Sequence, residues 1–305
     1  VDVENEHEMD RDGVPKAEGR DPVPMPATDL VESRDPVALP VTDLAESRDP
    51  VPPLVAALAT GRPVREVWKN EVGGRTFEVG AGADRCFVKW TPAASGIDLA
   101  QEAARLAWAA SYATVPLVTG QGADDAGSWL VTSPLPGQNA VTGRWRADPA
   151  AAVTAIGAGL RAMHEAMPVS ACPFSWMAED RLADARRRAG HGRLDPARWH
   201  EIHQSLTTEQ ALGLLADIPP VDRLVVCHGD ACAPNTLITE DGSCSGHVDL
   251  GELGLADRWA DLAVATWSSE WNYGPGWDRL LLDAYGVPPD PDRTRYYRLL
   301  WDLGP

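Results

Sequence analysis

The chain has 305 residues, 44% of them hydrophobic, and a net charge of −18. That length suits one large domain or two small ones, and no apolar run approaches the roughly eighteen residues a membrane helix needs. So acidic a chain disfavours nucleic acid and anionic membranes as partners and favours a cationic small molecule. Cys86, Cys172, Cys227, Cys232 and Cys244 stand at irregular spacings, and no charged-then-apolar segment opens the chain. Both features argue for free thiols in a reducing cytoplasm. Oligomeric state is not legible.

Residues 1–53 read as a disordered, Pro-rich acidic tail. Arg20-Asp21-Pro22-Val23 recurs as Arg34-Asp35-Pro36-Val37 and as Arg48-Asp49-Pro50-Val51, a 14-residue period with too few copies for a solenoid. The first fifty residues hold 14 acidic and 5 basic side chains, which is half of the net charge, and no aromatic residue. Such a segment buries too little apolar surface to offset its ordering entropy. A linker and a partner-binding tail are both compatible with it.

Val64–Trp68 and Thr76–Val79 are strand-like, with Gly73 and Gly74 in the turn between them. Those glycines serve either a plain hairpin turn or a close approach of backbone N–H groups to nucleotide phosphates. Cys86–Trp90 is a third strand and carries Lys89 on a mostly apolar run. Asp98 and Gln101 fit a capping box for a helix whose apolar face is Leu99, Ala103, Leu106 and Ala110, with Glu102 beside it. Ser128–Ser133 is a further strand, followed by the Pro-rich loop Pro134-Leu135-Pro136.

Asp148-Pro149 starts a helix that keeps its period through Val153, Ile156, Leu160 and Met163. His164 near its end reads as packing or capping. Arg186-Arg187-Arg188 reads as a solvated helix face. Near the end of the chain, Arg293 to Asp302 is amphipathic, with Tyr296, Leu299, Leu300 and Leu303 inward.

The chemistry concentrates between residues 225 and 251. Asp230 and Asn235 lie five residues apart, and Asp249 follows Asn235 by fourteen. Asp241-Gly242 between two short runs signals a hairpin, which would bring Asn235 and Asp249 to face one point. One carboxylate is then a candidate base. An amide and a second carboxylate, both oxygen donors, suit a hard cation such as Mg²⁺. A zinc site at Cys227, His228, Cys232 and His247 is disfavoured, because the short Cys spacing does not repeat.

His228-Gly229-Asp230 with Asn235 and Asp249 resembles the catalytic core of protein kinases, and Gly229 resembles the aminoglycoside phosphotransferases in particular. Phe87-Val88-Lys89, Gln101–Leu106, Cys172-Pro173-Phe174, Gly254–Arg258 and Tyr297–Leu300 match in order over residues 66 to 303. The resemblance implies an α+β, two-lobed fold. Its antiparallel-sheet, nucleotide-binding lobe would span 54–133, and a mainly helical catalytic and acceptor-binding lobe 134–305. It implies ATP as phosphoryl donor. Lys89 would contact the phosphates and pair with Glu102, and main-chain groups of Ser133 and Leu135 would hold the adenine. Asn235 and Asp249 would hold Mg²⁺, Asp230 would be the base, and Asp261 would support the catalytic loop. His228 then holds the loop, since Asp230 already fills the base role.

The expected reaction is ATP-dependent phosphorylation of a hydroxyl on a cationic acceptor, an aminoglycoside. The alternatives are a kinase for another small antibiotic or metabolite, and a non-enzymatic nucleotide sensor. Acidic candidates for the acceptor are Glu179, Asp180, Asp184, Glu252, Glu270 and Asp302. Two departures stand out. Glu252 occupies a family arginine position, and the chain ends Leu300-Trp301-Asp302-Leu303-Gly304-Pro305 in place of an acidic-aromatic terminus. Trp267 and Trp271 also stand where the family has polar residues.

Overall fold

The structure is a computed structural model that describes residues 49–70 and 72–304, all within one compact unit. The acidic repeat segment lies outside the described residues as far as residue 48. The described chain opens with α1 (Pro53–Ala59), β1 (Val64–Lys69), β2 (Arg75–Val79), β3 (Cys86–Pro92), α2 (Leu99–Ala109), β4 (Val118–Ala123) and β5 (Gly127–Thr132). The five strands form one antiparallel sheet in the order β1-β2-β3-β5-β4. Val55 and Ala59 of α1 pack on Phe77, Val79 and Val88, so this short helix closes one end of the sheet's own core.

The β1–β2 turn is a hairpin tied by Asn70, whose N–H donates to Gly74 O (2.8 Å) and whose Oδ1 accepts from Gly74 N (2.6 Å). Behind it lies an ion pair between Arg75 and Glu66, each side chain 7% exposed. The same guanidinium donates to Pro50 O (2.8 Å) and Asp49 O (3.3 Å). The chain is therefore engaged with the sheet from Asp49 onward. A version starting at Val51 is expected to melt below one starting at Asp49. Buried donors left unpaired cost about 1–3 kcal/mol, or roughly 2–10 °C for a domain of this size. Calorimetry on the two truncations checks this, and equal melting temperatures would mean that water serves Arg75 as well as the carbonyls do.

Beyond β5 the chain becomes mostly helical: β6 (Gln138–Asn139), α3 (Gly143–Arg146), α4 (Pro149–Ala166), α5 (Ala178–Gly190), α6 (Thr208–Leu214), β7 (Leu224–Cys227), β8 (Thr236–Ile238), β9 (Cys244–His247), β10 (Gly254–Asp257), α7 (Trp259–Tyr273), α8 (Asp278–Tyr285) and α9 (Pro291–Asp302). The product is the expected two-lobed α+β arrangement, a small antiparallel sheet with a larger helical lobe. Asp148 caps α4 through Ala151 N, and Pro149 occupies its first turn. Gly157 lets α4 and α8 touch, since a Cβ there would stand 2.4 Å from Leu281 O. Val153, Ile156 and Leu160 join the large helical core with Tyr296, Leu299, Leu300 and Leu303 of the C-terminal end, as the helical period predicts.

A second cluster joins the lobes. Leu99, Ala103 and Leu106 of α2 pack with Leu130, Met163, Val226, Leu250 and Leu253. Two details of α2 differ from expectation. Asp98 caps Ala100 N, but Gln101 does not close a capping box; its Oε1 lies 3.5 Å from Arg105. Ala109 takes the buried position expected of Ala110, which ends the helix exposed. Arg188 is also no mere surface charge, since it donates to Leu303 O and Gly304 O and pairs with Asp184. Among the described residues no helix is long and apolar enough to cross a membrane. All five cysteines are free.

Candidate active site

The site is built on two hairpin-like elements of the helical lobe. β7 pairs antiparallel with β10, Cys227 opposite Gly254, and the loop leaving β7 carries His228, Gly229 and Asp230. Gly229 has φ +88° and a Cβ there would lie 2.3 Å from Glu252 O, so both conformation and space demand glycine. β8 and β9 form the hairpin foreseen at Asp241-Gly242, with Thr236 opposite His247 and Gly242 at φ +83°. Val248 N donates to Asn235 O (3.0 Å), which brings Asn235 and Asp249 to the same end of the hairpin.

The catalytic loop is held from behind. Asp261, fully buried in the first turn of α7, accepts from His228 N (2.6 Å) and Gly229 N (2.9 Å). His164 of α4 lies 2.9 Å from the same carboxylate through Nε2 and 2.8 Å from Tyr285 OH through Nδ1. Burial alone would push the Asp261 carboxyl up, but the hydrogen bonds from His164 and the backbone hold it below its usual value. His228 is fully buried; its Nδ1 accepts from Asp230 N (3.2 Å) and its Nε2 donates to Val248 O (3.0 Å). It thus joins the Asp230 loop to the strand that delivers Asp249. The sequence reads His164 as packing or capping; its actual partners lie 97 and 121 residues away.

Asp230 Oδ2 accepts from Asn235 Nδ2 (3.0 Å), Oδ1 is buried, and the Cys232 thiol lies beside the carboxyl. Burial pushes the Asp230 carboxyl up, and the charge of Asp249 adds to this. Asn235 Nδ2 also donates to Asp230 O (3.0 Å), so the amide's donor side is spent on the loop. Its Oδ1 accepts no hydrogen bond among the described residues.

The sheet supplies the cation. Lys89, central on β3, donates to Glu102 Oε1 (2.7 Å) and Oε2 (2.9 Å) and to Asp249 Oδ1 (2.7 Å). Burial alone would pull the lysine down, but the two carboxylates more than reverse it and its pKa is raised. Burial would likewise push Asp249 up, and Lys89 outweighs it, so Asp249 stays ionised. Glu102 is 6% exposed, on the packed face of α2. After β5, Ser133 N donates to Leu117 O (2.9 Å) and Ser133 Oγ accepts from Leu117 N (2.9 Å). These bonds fix the inter-lobe segment and leave Ser133 C=O and Leu135 N–H without backbone partners among the described residues. Gly73 and Gly74 sit in the hairpin turn at the end of the sheet, where a Cβ on Gly73 would stand 3.3 Å from Pro92.

The acidic acceptor candidates separate. Glu252 is half-buried across from Gly229 and makes no hydrogen bond or ion pair among the described residues; burial raises its pKa, against the pull of Arg105 and Arg181. Glu179, Asp180 and Glu270 are exposed, and Asp180 accepts from Ser175 Oγ. Asp184 is taken by Arg187 and Arg188. Asp302 corrects the expectation made for it. Its carboxylate is 4% exposed and accepts from His203 Nδ1 and from His200 N (3.1 Å), so it is turned inward and not presented to a ligand. A further residue with no sequence signal is Ser268 of α7, whose Oγ accepts from Ala233 N (2.9 Å) and so buttresses the catalytic loop.

A part-buried sheet lysine paired with a helix glutamate, facing an aspartate, an asparagine and a second aspartate on a helical lobe, defines an enzyme of phosphoryl transfer with a kinase-like fold. Residues 65–297 match the phosphotransferase enzyme family, and the chain belongs to that family. It is 37% identical over 219 residues to an aminoglycoside 3′-phosphotransferase of Streptomyces fradiae, covering 68% of this chain and 81% of that one. It is 34% identical over 258 residues to a streptomycin 3″-kinase of Streptomyces griseus, covering 76% and 88%. The solved structure of an aminoglycoside phosphotransferase from Streptomyces rimosus superposes with a TM-score of 0.68 at 27% identity, over 83% of this chain and 99% of that one. The same enzyme solved with ADP and streptomycin gives a TM-score of 0.64.

Proposed function

We propose that this enzyme transfers the γ-phosphoryl group of ATP to a hydroxyl of an aminoglycoside, a reaction that inactivates the antibiotic and protects the cell. The observation that carries the reading is the catalytic carboxylate itself. Asp230 is steadied by Asn235 Nδ2 on Oδ2 and stands with Asn235 and Asp249 at one end of the hairpin, so a carboxylate is placed to act on a substrate O–H. The acceptor proton passes to this carboxylate as the new O–P bond forms and the bond to the bridging oxygen of ADP breaks. Lys89 supplies positive charge for the phosphates, Ser133 C=O and Leu135 N–H suit the adenine edge, and Gly73 and Gly74 allow the β1–β2 turn to approach the phosphates.

Asn235 and Asp249 fit a magnesium ion. Both offer hard oxygen, Asp249 is kept ionised by Lys89, and the Asn235 amide has its donor side committed, which leaves its oxygen for the metal. When bound, the ion neutralises charge on the phosphate oxygens. Five free thiols fit a reducing cytoplasm.

The acceptor is a polycation, and Glu252, near the catalytic loop and within reach of Arg105 and Arg181, is the carboxylate best situated to meet it. ATP turnover against a panel of aminoglycosides, with NMR of the products, is expected to reveal at least one phosphorylated antibiotic. Its kcat/KM should fall as salt rises past the point where the Debye length drops to about 8 Å. A purified enzyme that phosphorylates no aminoglycoside, yet turns over an uncharged acceptor efficiently, would overturn the proposal.

A further inference from the structure

The C-terminal rim beside the catalytic loop is aromatic where a polycation would ordinarily meet carboxylates. Ser268 ties α7 to the loop at Ala233, and Asn272 Nδ2 donates back to Ser268 O (2.8 Å). Trp271 is one helical turn along from Trp267 and three residues on from Ser268, so it stands about 4.5 Å further along the axis. Its ring centroid is 5.0 Å from that of Trp267 and 5.7 Å from that of Trp301, and His200 stacks on it at 5.9 Å and 26°. Trp267 is buried, whereas Trp271 and Trp301 are partly exposed. Trp271 Nε1 is buried and has no partner among the described residues.

Two contacts within the chain bear on what such a wall suits. The inner ring already holds a guanidinium, since Arg298 Cζ lies 5.3 Å from the Trp267 centroid. Asp302, beside Trp301, has its carboxylate withdrawn onto His203 and His200 N, so the carboxylate at this place orders the His200 segment against the rings. Exposed Glu270, beside Trp271, adds negative charge to the rim. A guanidinium is planar, delocalised and weakly hydrated, so it stacks flat on indole; an ammonium is compact and strongly hydrated and gains less from the same surface.

We propose that Trp271 and Trp301 are specificity-determining residues that read a guanidinium group of the acceptor by stacking, selecting guanidinium-bearing aminoglycosides over those whose cations are all amines. The inference rests on the aminoglycoside reading of the site. It goes beyond that reading in assigning the discrimination to an aromatic wall.

Calorimetric titration separates the two claims, because it reads binding without turnover. The probes are streptomycin, with two guanidinium groups, and neomycin, with amines only. The wild type is expected to bind streptomycin more tightly, and Trp271→Ala and Trp301→Ala each to weaken it roughly 3- to 30-fold. Neomycin binding and KM for ATP should move less than about twofold, the span between neutral and small effects. Trp271→Phe, which keeps an aromatic face, should recover most of the loss. Equal weakening of both probes, no weakening, or a wild type that binds neomycin as tightly as streptomycin would overturn the proposal. A wild type that binds streptomycin through Trp271 but transfers no phosphoryl group would leave the wall standing and remove the kinase reading.

Discussion

Asp230→Ala is expected to lower kcat by about 10²–10⁴-fold while leaving the affinity for ATP within a few-fold. The loss follows from where the carboxylate stands. Oδ2 is held by Asn235, which fixes the carboxylate at the end of the loop beside Asn235 and Asp249. No donor of the sheet reaches Asp230, so the nucleotide side keeps its Lys89–Glu102 pair intact. Stability should respond in the opposite sense. Burial raises the folded pKa of Asp230, so the ionised form is disfavoured by folding at any pH above its unfolded value. Removing the carboxyl should therefore leave the melting temperature at pH 7 unchanged or higher. Rapid-quench measurement of the transfer step and a thermal melt test both halves. Near wild-type kcat would mean that another group takes the proton.

Asp249→Asn is expected to cost about 10²-fold or more in kcat/KM, because a bound metal's charge stabilisation is worth several kcal/mol and each 1.4 kcal/mol is tenfold. The substitution is unusually clean. Asp249 sits at φ +64°, in the left-handed region, where asparagine is among the few residues tolerated without strain. The shape and the backbone survive, and the lost quantity is one negative charge. Lys89 then keeps only Glu102 as ion-pair partner. Turnover titrated with magnesium should shift to higher metal concentration, whereas circular dichroism should match the wild type. An unaltered magnesium dependence would remove Asp249 from the metal site.

What could be read in the sequence depended on how local the determining contacts were. The hairpin between Asn235 and Asp249, the strand under Lys89 and the helix behind Glu102 each follow from short-range chemistry, and the lysine–glutamate pair then closes over 13 residues. β4 was missed because Val118–Ala123 contains two glycines and no regular apolar alternation; it forms by pairing with β5 at the sheet edge. α1 was missed because seven residues after a run of prolines carry too little period to register. Asp302 reads from sequence as a candidate acceptor carboxylate, and its place is decided by His203, 99 residues away in the chain. Separation along the chain also hid the tryptophan wall, since Trp301 reaches Trp267 and Trp271 only in the folded molecule.

The buried histidine behind the catalytic loop has a consequence for how this enzyme fails on heating. Asp261 ties two loop amides to α4 through His164, and His164 in turn to α8 through Tyr285, all inside the helical core. The loop therefore cannot loosen as a separate low-stability unit; it opens when the helices around it part. On heating, the Asp230 loop is then expected to open together with the large lobe and not before it.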